Sequence, residues 1–351
     1  MLETRPALLA IALSLSTNMV HAASLPNGVV YSANEGDGSI SKITLSTGTV
    51  QTTRISVTPH NVQISPDGKA LLVVGTAKSE GGRHGDGGDK TTNAHSNDAD
   101  VHRDAGLLIL DVDQLDKVLQ TLPSGDHPAH IVSSWDGRYA YITNSDTDRV
   151  SVMDFETKKI TAEISTGAYP HGLRLSPDGN ELYVANVSDN SVSVIDSETL
   201  KEAARISVGK APVQVAFTPD GKRVYVSLRD ENSVAIIDVD TRKVINRIDV
   251  GRGPIQLYAA AGDTMYVANQ GSDTEPDNTV SVINIKNQSV IDTVVTGRGA
   301  HGVVASSDGK YVFITNTLDN SVSAIDTSTR DVIATYEVGP SPNGVTYRST
   351  Q

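Results

Sequence analysis

The chain has 351 residues, a net charge of −13 and no cysteine. Without cysteine, disulfides, thiolate metal sites and cysteine nucleophiles are excluded together. The acidic balance also excludes the basic face that nucleic acid or an anionic membrane surface would require.

Residues 1–22 read as a secretory signal peptide. Arg5 precedes an apolar run over 7–15, and Val20 and Ala22 supply small residues just ahead of Ala23. That run is too short to cross a bilayer, and no later one is long enough. The expectation is a periplasmic or secreted protein with no membrane span, acting as a monomer. Its residues 23–351 would form one domain.

Within that stretch a pattern of about 42 residues recurs. Its most regular mark is a tetrapeptide ending an apolar run: Tyr31-Ser-Ala-Asn34, Val73-Val-Gly-Thr76, Tyr141-Ile-Thr-Asn144, Tyr183-Val-Ala-Asn186, Tyr225-Val-Ser-Leu228, Tyr266-Val-Ala-Asn269 and Phe313-Ile-Thr-Asn316. A second series marks where the preceding run begins, at Pro59, Pro128, Pro170, Pro212, Pro254, Ala300 and Pro342. Asp-Gly pairs at Asp67, Asp136, Asp178, Asp220 and Asp308 read as hairpin turns between the two runs. Alternation in Val192-Ser-Val-Ile and Val322-Ser-Ala-Ile gives a third strand with period two. Four short strands per unit, seven times over, predict an all-β, seven-bladed β-propeller. The two series are offset, so one blade takes three strands from the N-terminal side and one from the segment starting at Pro342. That closure removes the exposed edges an open stack would carry.

These tetrapeptides, with Pro170-His171-Gly172, Ser176-Pro177-Asp178-Gly179 and Asn190-Ser-Val-Ser-Val-Ile-Asp196, resemble the YVTN β-propeller repeat family over essentially the whole of 23–351. The resemblance implies the fold. It implies little about activity, because such propellers occur in surface-layer proteins, as modules of redox enzymes, and among relatives of lactonases and lyases.

Departures from the repeat point to function. The largest is an insertion at 79–103 in the second unit, carrying His84, His95, Asp98, Asp100 and His102; a smaller one spans 271–276. Both fall on the face that bears the loops leading into the first strands, where an elaborated loop usually binds something. Imidazole and carboxylate suit zinc, copper(II), nickel or manganese. The alternating Asp98, Asp100 and His102 would share one side of an extended chain. The same stretch is equally a glycine-rich polar loop with no apolar anchor.

The second departure is a histidine set at the start of the first strands. His60, His171 and His301 share one slot, and His130 occupies the next. Converging on one channel mouth, His60, His171 and His301 could hold a metal with open positions for water or substrate; alternatively they hydrogen-bond neighbouring loops. Third, Lys210, Arg252 and Arg298 precede the first strands of three consecutive units and could attract an anion, as could Arg174 within a first strand. No Gly-x-Ser-x-Gly elbow or phosphate-cradling loop is present. The leading expectation is a non-catalytic exported binding or scaffold propeller. Its partner would be a divalent metal (zinc or copper), a small anionic ligand or another periplasmic protein. Its architecture and histidine placement are similar to those of periplasmic metal carriers. The alternative is a metal-assisted lactonase- or lyase-like enzyme.

Overall fold

The structure is a computed structural model that describes residues 27–77 and 106–350. The segment 1–22 and the inserted His84, His95, Asp98, Asp100 and His102 lie outside the described residues. Among those described, seven four-stranded antiparallel sheets form the predicted propeller. Each sheet runs in chain order except the closing one. There Pro342–Arg348 pairs antiparallel with Val29–Asn34, giving three N-terminal strands and one C-terminal strand as expected. Arg348 adds a 2.8 Å ion pair to Asp113 of the second blade.

The sequence pattern reflects how blades stack. The third strand Ser191–Asp196 is buried at Ser191, Val192, Ser193, Val194 and Ile195, although it alternates polar and apolar residues. Both of its faces are covered, so the serines need partners within the protein. The last residue of the tetrapeptide supplies them. Asn186 Nδ2 donates to Ser191 Oγ (3.0 Å) and Ser193 Oγ (2.9 Å). Asn34, Asn269 and Asn316 make the equivalent pairs with Ser39 and Ser41, Thr279 and Ser281, and Ser321 and Ser323. The outer strand Lys201–Ser207 instead largely alternates exposed and half-buried positions, because successive side chains point to opposite faces and one face is open to solvent.

The tetrapeptide's aromatic residue does the complementary work. Tyr31, Tyr183, Tyr225, Tyr266 and Phe313 are fully buried between neighbouring blades. Tyr31 Oη donates across the blade boundary to the Val112 carbonyl (2.8 Å). Clusters such as Val192, Val194, Val215, Val224 and Val226 fill the space between the fourth and fifth blades. Each such valine contributes roughly 1.5–3 kcal/mol by leaving water.

The Asp-Gly hairpins form as predicted. Ser176 Oγ donates to Asp178 Oδ1, which also accepts the Asn180 N–H, and Gly179 takes φ +80°. These hairpins end the inner strands on one face of the ring. The opposite face carries the loops leading into the inner strands.

Candidate metal centre

The inner strands start under tight backbone control. His127, Tyr169, Ala211 and Ser341 sit in left-handed conformations immediately before the prolines that open four of them. A register irregularity follows at once, between Pro128 and Ile131 and between Pro170 and Leu173. The equivalent shift in the second blade lies between Pro59 and Asn61. A bulge takes its residues off the hydrogen-bonded ladder and re-aims their side chains. The residues re-aimed here are His60, His130 and His171, which belong to three consecutive blades.

Their rings meet at the channel axis. Centroids lie 5.6 Å apart for His60 and His130, 5.2 Å for His60 and His171, and 4.7 Å for His130 and His171. One ring nitrogen from each falls within 4.8 Å of the other two. His60 Nε2 and His171 Nε2 are 3.2 Å apart. Nitrogens held tetrahedrally on one zinc, at bonds of roughly 2.0–2.1 Å, stand about 3.3 Å from each other. His130 Nε2 is buried without a hydrogen-bond partner.

The surroundings orient these rings. His171 Nδ1 faces the Val213 carbonyl at 3.2 Å and donates to it, leaving the Nε2 lone pair directed at His60. Thr143 Oγ1 donates to the His171 carbonyl (2.7 Å) and accepts the His130 N–H (3.0 Å), tying the third and fourth blades together at the site. Behind His60 stands Glu35, with Oε1 3.5 Å from Nδ1. Asn343 Nδ2 holds the other carboxylate oxygen at 2.8 Å and lies 3.2 Å from the same Nδ1. A carboxylate behind a ligating imidazole fixes its tautomer and raises its basicity.

Charge at the site is controlled by burial. Burial, with the neighbouring imidazoles, pushes His130 far below the usual histidine range, and it brings His171 down to about 3. His301 falls to about 3 for the same first reason, with His60 adding to it. Burial alone would raise the Glu35 carboxyl. The hydrogen bond and charge of His60 and the hydrogen bond of Asn343 outweigh it and hold Glu35 at about 2. Buried His130 and His171 therefore present neutral rings, the form that binds metal.

The converging trio differs from the one expected. His301 shares the slot of His60 and His171, yet it belongs to the seventh blade. Like His171 it lies two blades from His60, but on the other side, and it stands outside the group. His130 takes its place because the bulge brings the neighbouring slot of the third blade to the same point. His301 instead lines a 250 Å³ cavity with Glu35, Asn343 and Asp273, its buried Nδ1 unpaired. Glu35 was not among the expected residues. Its sequence signal is position, because it follows the tetrapeptide Asn34 directly, where Val187, Gln270 and Thr317 stand in other blades.

Two of the three cations in the expected arc are paired with carboxylates. Arg298 Nε donates to Asp319 at 2.8 Å, and Arg252 pairs with Glu275 at 3.2 Å and with Asp277 at 3.9 Å. Lys210 is exposed, and its backbone N–H lies on the Glu231 carboxylate at 2.8 Å. Arg174 lies three residues beyond His171 in the same strand, toward the hairpin face.

A sequence profile of the YNCE-like beta-propeller family matches residues 99–260 and 202–349. The chain belongs to that family. No curated protein matches this YNCE-like propeller. Among solved structures it is similar to Kuenenia stuttgartiensis hydrazine synthase, at 21% identity and a TM-score of 0.65, over 83% of this chain and 95% of that one. A functionally unknown protein from Desulfotomaculum acetoxidans DSM 771 is similar at 17% identity and a TM-score of 0.73, over 92% and 99%. Dihydro-heme d1 dehydrogenase NirN, in complex with DHE, is similar at 15% and 0.60, over 91% of this chain and 65% of that one. At these identities the likeness concerns the fold alone. Among the described residues no helix is long and apolar enough to cross a membrane.

Proposed function

We propose that this propeller is an exported, non-catalytic binding protein that holds one divalent transition-metal ion, zinc or copper(II), on His60, His130 and His171. The observation that carries the reading is the approach of three ring nitrogens from three blades to within 4.8 Å of one another. Imidazole suits both metals, whereas a soft-metal site would call on thiolates that this chain lacks. Three protein ligands leave at least one position open, which suits an ion that must be taken up and handed on. The leader-like 1–22 and the YVTN-type tetrapeptides support export and kinship with exported repeat proteins, and the inserted His84, His95 and His102 would serve as a capture loop. In this reading 23–351 is a single propeller domain.

The protein's own groups would orient both rings for the ion. His171 Nδ1 donates to the Val213 carbonyl and so leaves its Nε2 lone pair for the metal, while Glu35 would accept the Nδ1 proton of His60 and leave the His60 Nε2 lone pair for the same metal.

The test is metal content of the purified protein beside His130→Ala and His171→Ala variants. One zinc or copper per chain, lost in both variants, is expected; wild-type protein that stays metal-free after dialysis against zinc and copper sinks the reading. The 250 Å³ cavity beside Glu35 and His301 favours a second reading, a metal-assisted lactonase- or lyase-like enzyme whose substrate fills that space. Lactone hydrolysis that needs both the metal and His301 would select it.

A further inference from the structure

The opposite mouth of the channel contains a feature that the metal reading leaves unused. Arg174 leaves the inner strand of the fourth blade toward the hairpin face and borders a 340 Å³ cavity. Its walls are Trp135 and Pro177 from two successive hairpins, Phe217 and Pro219 from the next blade, and Tyr258 from the blade after that. Arg174 is the single charged residue in this lining. Its guanidinium donates to the Leu173 carbonyl at 3.0 Å and lies 5.8 Å from the Tyr258 ring centroid. Among the described residues no carboxylate comes within ion-pair distance of it, whereas Arg252 and Arg298 at the other mouth are both paired.

A partly buried cation without a counter-ion costs free energy that a bound anion restores. The guanidinium fork matches a carboxylate in two parallel hydrogen bonds. One cation with no second basic group suits a singly charged head better than a phosphate dianion. The walls are apolar and aromatic, so the remainder of the ligand must be apolar and flat. The volume lies at the small end of the range for small-molecule pockets. Trp135 is 63% exposed, the most exposed large apolar side chain among those described, with its Nε1 fixed to the Ser176 carbonyl at 3.0 Å. Burying its free face would add to affinity.

We propose that this cavity binds a small aromatic monocarboxylate, its carboxylate on Arg174 and its ring between Trp135 and Tyr258. The site is separate from the histidine cluster and does not depend on the metal. It gives the chain a second ligand on the hairpin face.

Trp135 is the chain's one tryptophan, so its emission reports this cavity alone. Benzoate is titrated into EDTA-treated full-length protein, with benzamide as the uncharged isostere and inorganic phosphate as the competing anion. A saturable change with benzoate is expected, at least tenfold weaker with benzamide and with phosphate. Arg174→Gln should abolish the preference for benzoate over benzamide while leaving zinc uptake intact. Arg174→Lys keeps the charge in a fold-preserving change and should weaken benzoate binding at least tenfold through loss of the bidentate fork. The proposal is overturned by an unchanged emission, by equal affinity for benzoate and benzamide, by full binding in Arg174→Lys, or by binding that requires added zinc. That last outcome would move the carboxylate to the histidine cluster.

Discussion

Heat stability read with and without zinc gives the sharpest test of which histidines hold the metal. About 300 described residues, at roughly 2.1 cal/mol/K each, give an unfolding entropy near 0.6 kcal/mol/K. Zinc at a hundred times its dissociation constant stabilises the folded state by about 2.7 kcal/mol, which is about 4 °C in Tm. Replacing a carboxylate behind a ligand costs roughly 10–100-fold in affinity, so losing a ligand should cost at least the upper figure. In His171→Ala at the same zinc concentration the ion is then at most half-bound. Its contribution falls to about 0.4 kcal/mol, and the shift to less than about 1 °C. His301→Ala should keep the full shift, because His301 stands outside the converging group. Calorimetry of wild type, His171→Ala and His301→Ala, each with zinc and with EDTA, reads all three values. A shift lost equally in both variants would show that the converging set has been misassigned.

Further outcomes follow from neighbouring groups. Glu35→Gln should weaken zinc binding roughly 10–100-fold while leaving stoichiometry at saturation unchanged; a normal dissociation constant by calorimetric titration would remove Glu35 from the site. Acid should destabilise the metal-free protein early. The unfolded chain takes up protons near pH 6.5, whereas His171 and His301 resist protonation down to about 3. Their contribution is therefore complete above pH 6.5 and is lost as pH falls toward 3, by up to about 1.4 kcal/mol per pH unit for each; urea midpoints that stay constant from pH 7.5 to 5 would contradict this. Asn186→Ala removes two buried hydrogen bonds and should cost about 2 kcal/mol, or about 3 °C, with zinc binding untouched. Deleting 79–103 should leave one tightly bound zinc per chain, because His60, His130 and His171 lie outside the insertion; loss of all metal would place the site in the loop.

How much of this was legible in the sequence depends on whether a residue serves the repeat or departs from it. Tyr183, Asn186, Ser191 and Asp178 recur at fixed spacing because each blade needs the same inter-blade filling, the same hydroxyl partners and the same hairpin. A period exposes such residues directly, so blade number and ring closure were readable. The histidine set was only half readable. Slot equivalence put His60, His171 and His301 together, and blade order does not separate them, because His171 and His301 each lie two blades from His60, on opposite sides. Side-chain direction does: His60 and His171 turn toward each other, and His301 stands outside the group. The bulge after Pro128 then lets His130, from the neighbouring slot, reach the axis beside His60 and His171. Neither side-chain direction nor a bulge is written in residue spacing. Charge followed the same logic. Lys210, Arg252 and Arg298 looked like an arc in sequence, but the acids that neutralise Arg252 and Arg298 come from loops 20 or more residues away, at Asp277 and Asp319. Arg174 has no such partner because its strand carries it away from the acid-rich loops. A propeller therefore separates its chemistry by strand position: histidines at the starts of inner strands meet at one mouth, and Arg174, three residues further along, faces the other. A substitution that keeps the charge at either end should leave the other end's ligand unaffected, and measuring zinc and benzoate binding in two such variants, His171→Ala and Arg174→Lys, tests that independence directly.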